Sequence, residues 1–182
     1  MDATVDLLTD VGYHRLTIES IAARAGVGKA TVYRWWPTKA RLVIESLSHR
    51  IEVTPVKTTG ELRADVRALV DAAIELFTES PLGAAMPEMA SDLDADPEAR
   101  EQLLSFLGPA RAGNLSLLYR AAGRTDLPHD VDADLLLDLI CGTVLYRRLL
   151  GRRSSSAIAD QLTEMIVGRH LPRTSEGVGP TA

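Results

Sequence analysis

The chain has 182 residues, a net charge of −5, 46% hydrophobic residues and a mean hydropathy of +0.01. That is enough apolar material for a core, and no apolar run approaches the ~20 residues of a membrane span, so no membrane association is expected. The single cysteine, Cys141, excludes an internal disulfide. The opening Met1-Asp2-Ala3-Thr4 lacks the basic region of a secretory signal, so a cytoplasmic protein is expected.

Nearly every segment reads as helix, so an all-α fold is expected. Thr4, Leu7, Leu8 and Val11 follow helical spacing, and Gly12 supplies a stop. Thr17 reads as an N-cap with Glu19 in the first turn, and Ile18, Ile21, Ala22 and Ala25 carry a second helix to Gly26. A short helix from Lys29 to Trp35 is closed by Pro37, and Thr38 caps a fourth whose stripe is Ala40, Val43, Ile44, Leu47 and Ile51. Residues 52–60 read as a linker. Leu62, Val66, Leu69, Val70, Ala73 and Phe77 then mark a long amphipathic helix. A short helix or irregular piece is expected over residues 81–93. A helix begins at Asp96-Pro97-Glu98 and runs to Ala122, bent at Gly108-Pro109. After a loop over 123–130, helices from Val131 to Gly151 and from Ser155 to Arg169 precede a disordered tail. The expected domains are a helix-turn-helix unit over 1–52, a helical unit over 53–171 and a tail over 172–182.

Charge is unevenly spread. Residues 1–50 hold seven basic and five acidic side chains, the remainder thirteen and twenty, so the first segment is the one suited to face a polyanion. Residues 17–36 have the anatomy of a helix-turn-helix: a helix of about two turns, a tight turn at Ala25-Gly26-Val27, and a second short helix. In this motif the second helix enters the major groove. Lys29 and Arg34 offer cationic donors, Thr31 and Tyr33 hydroxyls, and Trp35 a flat surface, while Ala30 permits close approach. Thr38 and Lys39, at the next helix start, suit a phosphate grip. Singly, Lys29, Arg34 and Arg41 read better as a solvated face, and Trp36, more than Tyr33, as a core aromatic; the spacing of the whole run favours DNA binding.

The run from Ala25 to Leu42 resembles the recognition region of the tetracycline-repressor (TetR) family, whose pattern is A-G-V, T-x-Y, an aromatic three residues after the tyrosine, then K-x-x-L. Thr31, Tyr33, Trp36, Lys39 and Leu42 occupy those places. Gly28 stands where the family usually has Ser or Thr, a tolerable exchange at an N-cap. The family also shows further residues, often basic, ahead of the first helix; either such residues precede Met1 in the whole protein or the arm is missing, so contacts from it stay open. The resemblance implies a regulator, expected to be a repressor, whose DNA-binding residues are Thr17, Lys29, Ala30, Thr31, Tyr33, Arg34, Trp35, Thr38 and Lys39. Its partners would be a palindromic DNA operator, a second copy and a small-molecule effector.

The helix from Val131 is apolar nearly all round, and the last helix carries an apolar face. The two could pair with their copies into a four-helix bundle, or serve only as monomer core. The resemblance implies a homodimer, expected through Leu136, Leu139, Ile140, Val144, Arg147, Ile158, Leu162, Met165 and Ile166. The middle helices would hold the effector, with Phe77, Met86, Met89, Phe106 and Tyr119 as candidate lining. Alternatives are a regulator without an effector, an activator, or a helical enzyme or adaptor. No catalytic pair is visible, so no enzyme is expected. Gly28-Lys29 fails the phosphate-loop pattern at Ala23 and Ala30. His14, His49, His129 and His170 are scattered, so neither a metal nor a cofactor is expected. Cys141 reads as a buried small hydrophobe.

Overall fold

The computed structural model describes residues 1–123 and 132–168. The predicted tail and most of the predicted loop before Asp132 lie outside the described residues. Within them all regular structure is helical.

Four helices form the head: α1 (Asp2–Arg15), α2 (Ile18–Ala25), α3 (Lys29–Trp35) and α4 (Lys39–Arg50). Their ends follow local chemistry. Gly12, at φ 76° and ψ 164°, breaks the regular path of α1, and one more turn reaches Arg15. Thr17 caps α2: its hydroxyl accepts the Ser20 N–H at 3.1 Å, and the Ser20 hydroxyl accepts the Thr17 N–H at 3.2 Å. Serine thus fills the reciprocal place usual for Glu or Gln in a capping box. Gly26 ends α2 at φ 67° and ψ 28°, the left-handed region that costs a glycine least. Its N–H and that of Val27 return to the carbonyls of Ala23 and Ala22, which closes the turn.

Residues 51–61 then lead to α5 (Leu62–Ile74), a π-helical turn (Glu75–Glu79), α6 (Pro81–Ala95), α7 (Pro97–Gly123), α8 (Ala133–Leu149) and α9 (Ser156–Val167). The helix expected from Leu62 to Phe77 is therefore α-helical only to Ile74. The piece after Ser80 is a full helix, capped by the Ser80 hydroxyl, which accepts the Gly83 N–H at 3.2 Å. α7 runs through Pro109 as one element. The linker is pinned by buried Asp65, whose carboxylate accepts the Thr58 hydroxyl at 2.7 Å and the Thr59 N–H at 2.6 Å. Burial opposes its charge, but those hydrogen bonds hold the carboxyl below its ordinary range.

Apolar side chains gather in two clusters. One joins head residues such as Leu16, Ile44 and Leu47 to Leu82, Ala85 and Met89 of α6 and to Ala99 and Leu103 of α7. The other joins α5, the end of α7, α8 and α9 through Val66, Val70, Leu118, Ile140, Val144 and Leu162. The linker at 52–60 is thus not where the cores divide: α6 and the front of α7 pack with the head. Within the described residues the chain passes between the clusters along 51–61, through the π-helical turn, and along the middle of α7.

Candidate nucleic-acid interface and effector cavity

α3 is held to the head by one apolar anchor, Val32, 5% exposed, and by half-buried Trp36 beyond its end. The Trp36 indole N–H donates to Glu45 Oε2 at 2.8 Å, so this aromatic is a structural strut between α3 and α4. The opposite face is open: Lys29, Ala30, Thr31, Tyr33, Arg34 and Trp35 are all exposed, Trp35 by 67%. The Arg34 guanidinium stands 5.8 Å from the Trp35 ring centroid, which pre-positions a cation beside a flat stacking surface. The Tyr33 hydroxyl donates to Glu19 Oε1 of α2 at 3.3 Å, and desolvation with the Glu19 charge raises its pKa, so it remains a neutral donor. Val27, 45% exposed at the turn, places an apolar side chain on the same surface, which sequence reading did not single out. Its place in a helix-turn-helix turn was the available signal. Thr17 sits exposed at the α2 N-terminus with its side chain engaged as the cap.

Thr38 and Lys39 are placed differently from the expected phosphate grip. The Lys39 ammonium donates to the Tyr13 carbonyl at 3.0 Å and lies 4.1 Å from the Tyr13 ring centroid. It neutralises the carbonyl end of α1 rather than facing outward. The Thr38 hydroxyl accepts the Arg41 N–H as an N-cap and donates to Asp96 Oδ2 at 2.8 Å. Both residues therefore hold the head together and to α7.

Four further contacts tie the head to α6 and α7. Asp96 takes Arg41 in a two-pronged pair, Nε and Nη2 each at 2.8 Å, and also caps α7 by accepting the Ala99 N–H at 3.1 Å. Glu98 pairs with the same guanidinium. The hydrogen bonds from Arg41, opposed by desolvation and reinforced by Thr38 and Ala99, hold the Asp96 carboxyl well below the usual range. The Tyr13 hydroxyl donates to Asp92 Oδ2 at 2.5 Å, and burial followed by the Asp92 hydrogen bond raises its pKa strongly. The His14 N–H donates to Glu88 Oε2 at 2.6 Å.

A cavity of about 530 Å³ lies where the linker, the π-helical turn, α5, α7 and α8 meet. Of the five predicted lining residues only Phe77 borders it. Met89 is fully buried in the head cluster, Phe106 packs against that cluster, Met86 packs against both, and Tyr119 is 54% exposed with its hydroxyl toward Asp134. The remaining wall includes Leu69, Leu76 and Leu137. Cys141 also lines it, half-buried, and burial pushes its thiol up.

The predicted dimer set divides in two. Leu136, Ile140, Val144, Leu162 and Ile166 are buried inside the protomer and offer little surface to a second copy. Arg147 donates to the Arg153 carbonyl at 2.9 Å, and Ile158 is half-buried. Leu139 and Met165 are more than half exposed, alongside the unpredicted Leu135, Tyr146, Leu149 and Leu150. Among the described residues no cluster of His, Cys, Asp and Glu is arranged for a metal ion, and no helix is long and apolar enough to cross a membrane.

An exposed, cationic second helix behind a glycine turn, set on a helical body, defines a helix-turn-helix DNA-binding transcription regulator. Residues 1–45 match the family described as bacterial regulatory proteins, tetR family, and residues 56–167 match the tetracyclin repressor-like C-terminal domain, so the chain belongs to the TetR family. It is 34% identical over 155 residues to the HTH-type transcriptional regulator YdeS of Bacillus subtilis, covering 82% of this chain and 76% of that one. It is 28% identical over 159 residues to the DNA-binding transcriptional repressor TetR of Mycobacteroides abscessus, covering 86% and 83%. Among solved structures it superposes on the TetR family transcription regulator SCO0332 with a TM-score of 0.70 at 28% identity, covering 91% and 93%.

Proposed function

We propose that the chain is a cytoplasmic repressor that binds a palindromic operator as a homodimer and is released by a small molecule held in the cavity. The observation that carries this reading is the division of labour between two exposed surfaces. α3 offers Lys29, Thr31, Tyr33, Arg34 and Trp35 outward, and α8 offers an apolar row, Leu135, Leu139, Tyr146 and Leu149. The first suits phosphates and base edges. The second suits a two-fold partner, which a palindrome requires. A cavity of about 530 Å³ is within the usual range for a small-molecule site. A relative from Mycobacteroides abscessus is named a repressor, which favours repression over activation. The units proposed are a reading head over 1–52 and an effector and dimerisation body beyond it, and neither has a catalytic role.

The test is fluorescence anisotropy on the promoter nearest the gene, in a salt series. Lys29→Ala and Arg34→Ala should each flatten the dependence of log affinity on log salt by about one. Lys39→Gln should lower thermal stability without changing that slope. Unaltered DNA binding by the double variant Lys29→Ala plus Tyr33→Ala would remove the basis of the reading.

A further inference from the structure

We infer that the occupant of the cavity is a lipophilic cation, a bulky apolar body carrying one positive charge. This rests on the reading of the cavity as an effector site. The charged side chains lining it are Glu52 from the linker and Glu75 and Glu79 from the π-helical turn; no Lys, Arg or His is among the lining groups. None of the three carboxylates has a hydrogen bond or ion pair within the described residues. The cations on neighbouring elements are engaged elsewhere. Arg111 of α7 is forked between Asp134 at 2.8 Å and Asp138 at 2.9 Å, and Arg148 of α8 donates to the Gly83 and Thr78 carbonyls. Lys57 follows the last lining residue of the linker, Val56, and does not border the space.

The floor beneath this acidic rim is apolar: Leu69, Ala73, Leu76, Phe77 and Leu137. Phe77 gives it an aromatic face, which attracts a cation as the carboxylates do. The π-helical turn is an irregularity of the kind concentrated at functional sites, and it supplies two of the three carboxylates. The three carboxylates are solvent-exposed, so an anion here would meet a partly screened negative charge, a discrimination against it that is greatest at low salt.

Two probes of matched shape separate charge from volume: tetraphenylphosphonium and tetraphenylborate, titrated into the full-length dimer by calorimetry at low salt. The phosphonium should bind once per protomer, more tightly than the borate by about tenfold or more. Each of Glu75→Gln and Glu79→Gln should weaken the phosphonium by about two- to fivefold, the loss expected for a partly solvated charge pair. Ala72→Phe, which projects a ring into the space from α5, should weaken both probes. Borate binding as tight as phosphonium, with Ala72→Phe weakening both, would overturn the charge inference and leave the cavity reading standing. Phosphonium binding insensitive to the Gln variants and to Ala72→Phe would place the site elsewhere and overturn the inference. Failure of both ions and of neutral triphenylmethanol to bind would overturn the cavity reading itself.

Discussion

Met89 gives the sharpest test of how the head is built. It stands on α6, outside the helix-turn-helix unit, yet it is fully buried in the head cluster with Leu82 and Ala85. Met89→Ala removes Cγ, Sδ and Cε from that cluster. The transfer loss alone is about 2 kcal/mol at roughly 0.8 kcal/mol per methylene equivalent. The unfilled space raises the expected loss to about 3 kcal/mol, within the range for buried Met-to-Ala changes. Urea unfolding should show a lower midpoint with an unchanged slope, measured at one fixed protomer concentration because the apparent stability of the proposed dimer depends on it. A fall in Tm of about 2–4 °C per kcal/mol should accompany it. Amide exchange should quicken in α1 and α4, which pack on α6, before it quickens in α9. A loss below about 0.5 kcal/mol, or faster exchange confined to the second cluster, would show that α6 is not part of the head core.

Asp96 should contribute its full stabilisation only above the ordinary carboxylate range. Its folded pKa is depressed by Arg41, so its contribution is present above the unfolded value near 4 and fades as pH falls through the folded one. Wild type should therefore exceed Asp96→Asn by a constant margin above about pH 5, and the margin should begin to shrink below about pH 4 and narrow progressively as pH falls further, as urea midpoints across pH will show. In the proposed dimer the carboxylate of Leu139→Glu would recur on both sides of a two-fold contact, so this variant should sediment as folded monomers in analytical ultracentrifugation with unchanged circular dichroism. Ile140→Glu, aimed into the protomer, should instead unfold it. Thr17→Ala should cost about 1 kcal/mol through loss of the α2 cap, and Thr17→Ser should restore it, as thermal melts will show.

What the sequence disclosed was what local chemistry decides. The Thr17 cap, the Gly26 turn and the stop at Pro37 are each settled within a few residues, and all stand in the structure. The outward face of α3 was legible for the same reason, since Val32 alone of that helix is buried. Lys39 and Thr38 were misplaced because their partners, Tyr13 and Asp96, lie 26 and 58 residues away. Spacing along a helix reports nothing about such distant groups. The cavity lining was misjudged for a related reason: Met89 and Phe106 face the head, a choice made by the packing of α6 and α7 and not by their own periodicity. α8 has apolar residues nearly all round, so no polar stripe marked which side would meet the protomer and which would stay free. The π-helical turn left no sign in the apolar pattern, which continues across it to Phe77.

The passages between the two apolar clusters share a property that bears on how the molecule can move. The linker contributes Ile51 to Val56 to the cavity wall, the π-helical turn contributes Glu75 to Phe77, and the middle of α7 contributes Ala110 and Asn114. The void therefore lies along the seam between two close-packed blocks, at the points where the backbone stitches them together. Neither block can yield much internally, because interiors at crystal-like density resist compression. In the proposed effector-bound state, a body larger than the void would act as a wedge at that seam, and the block it tilted would carry α3 with it.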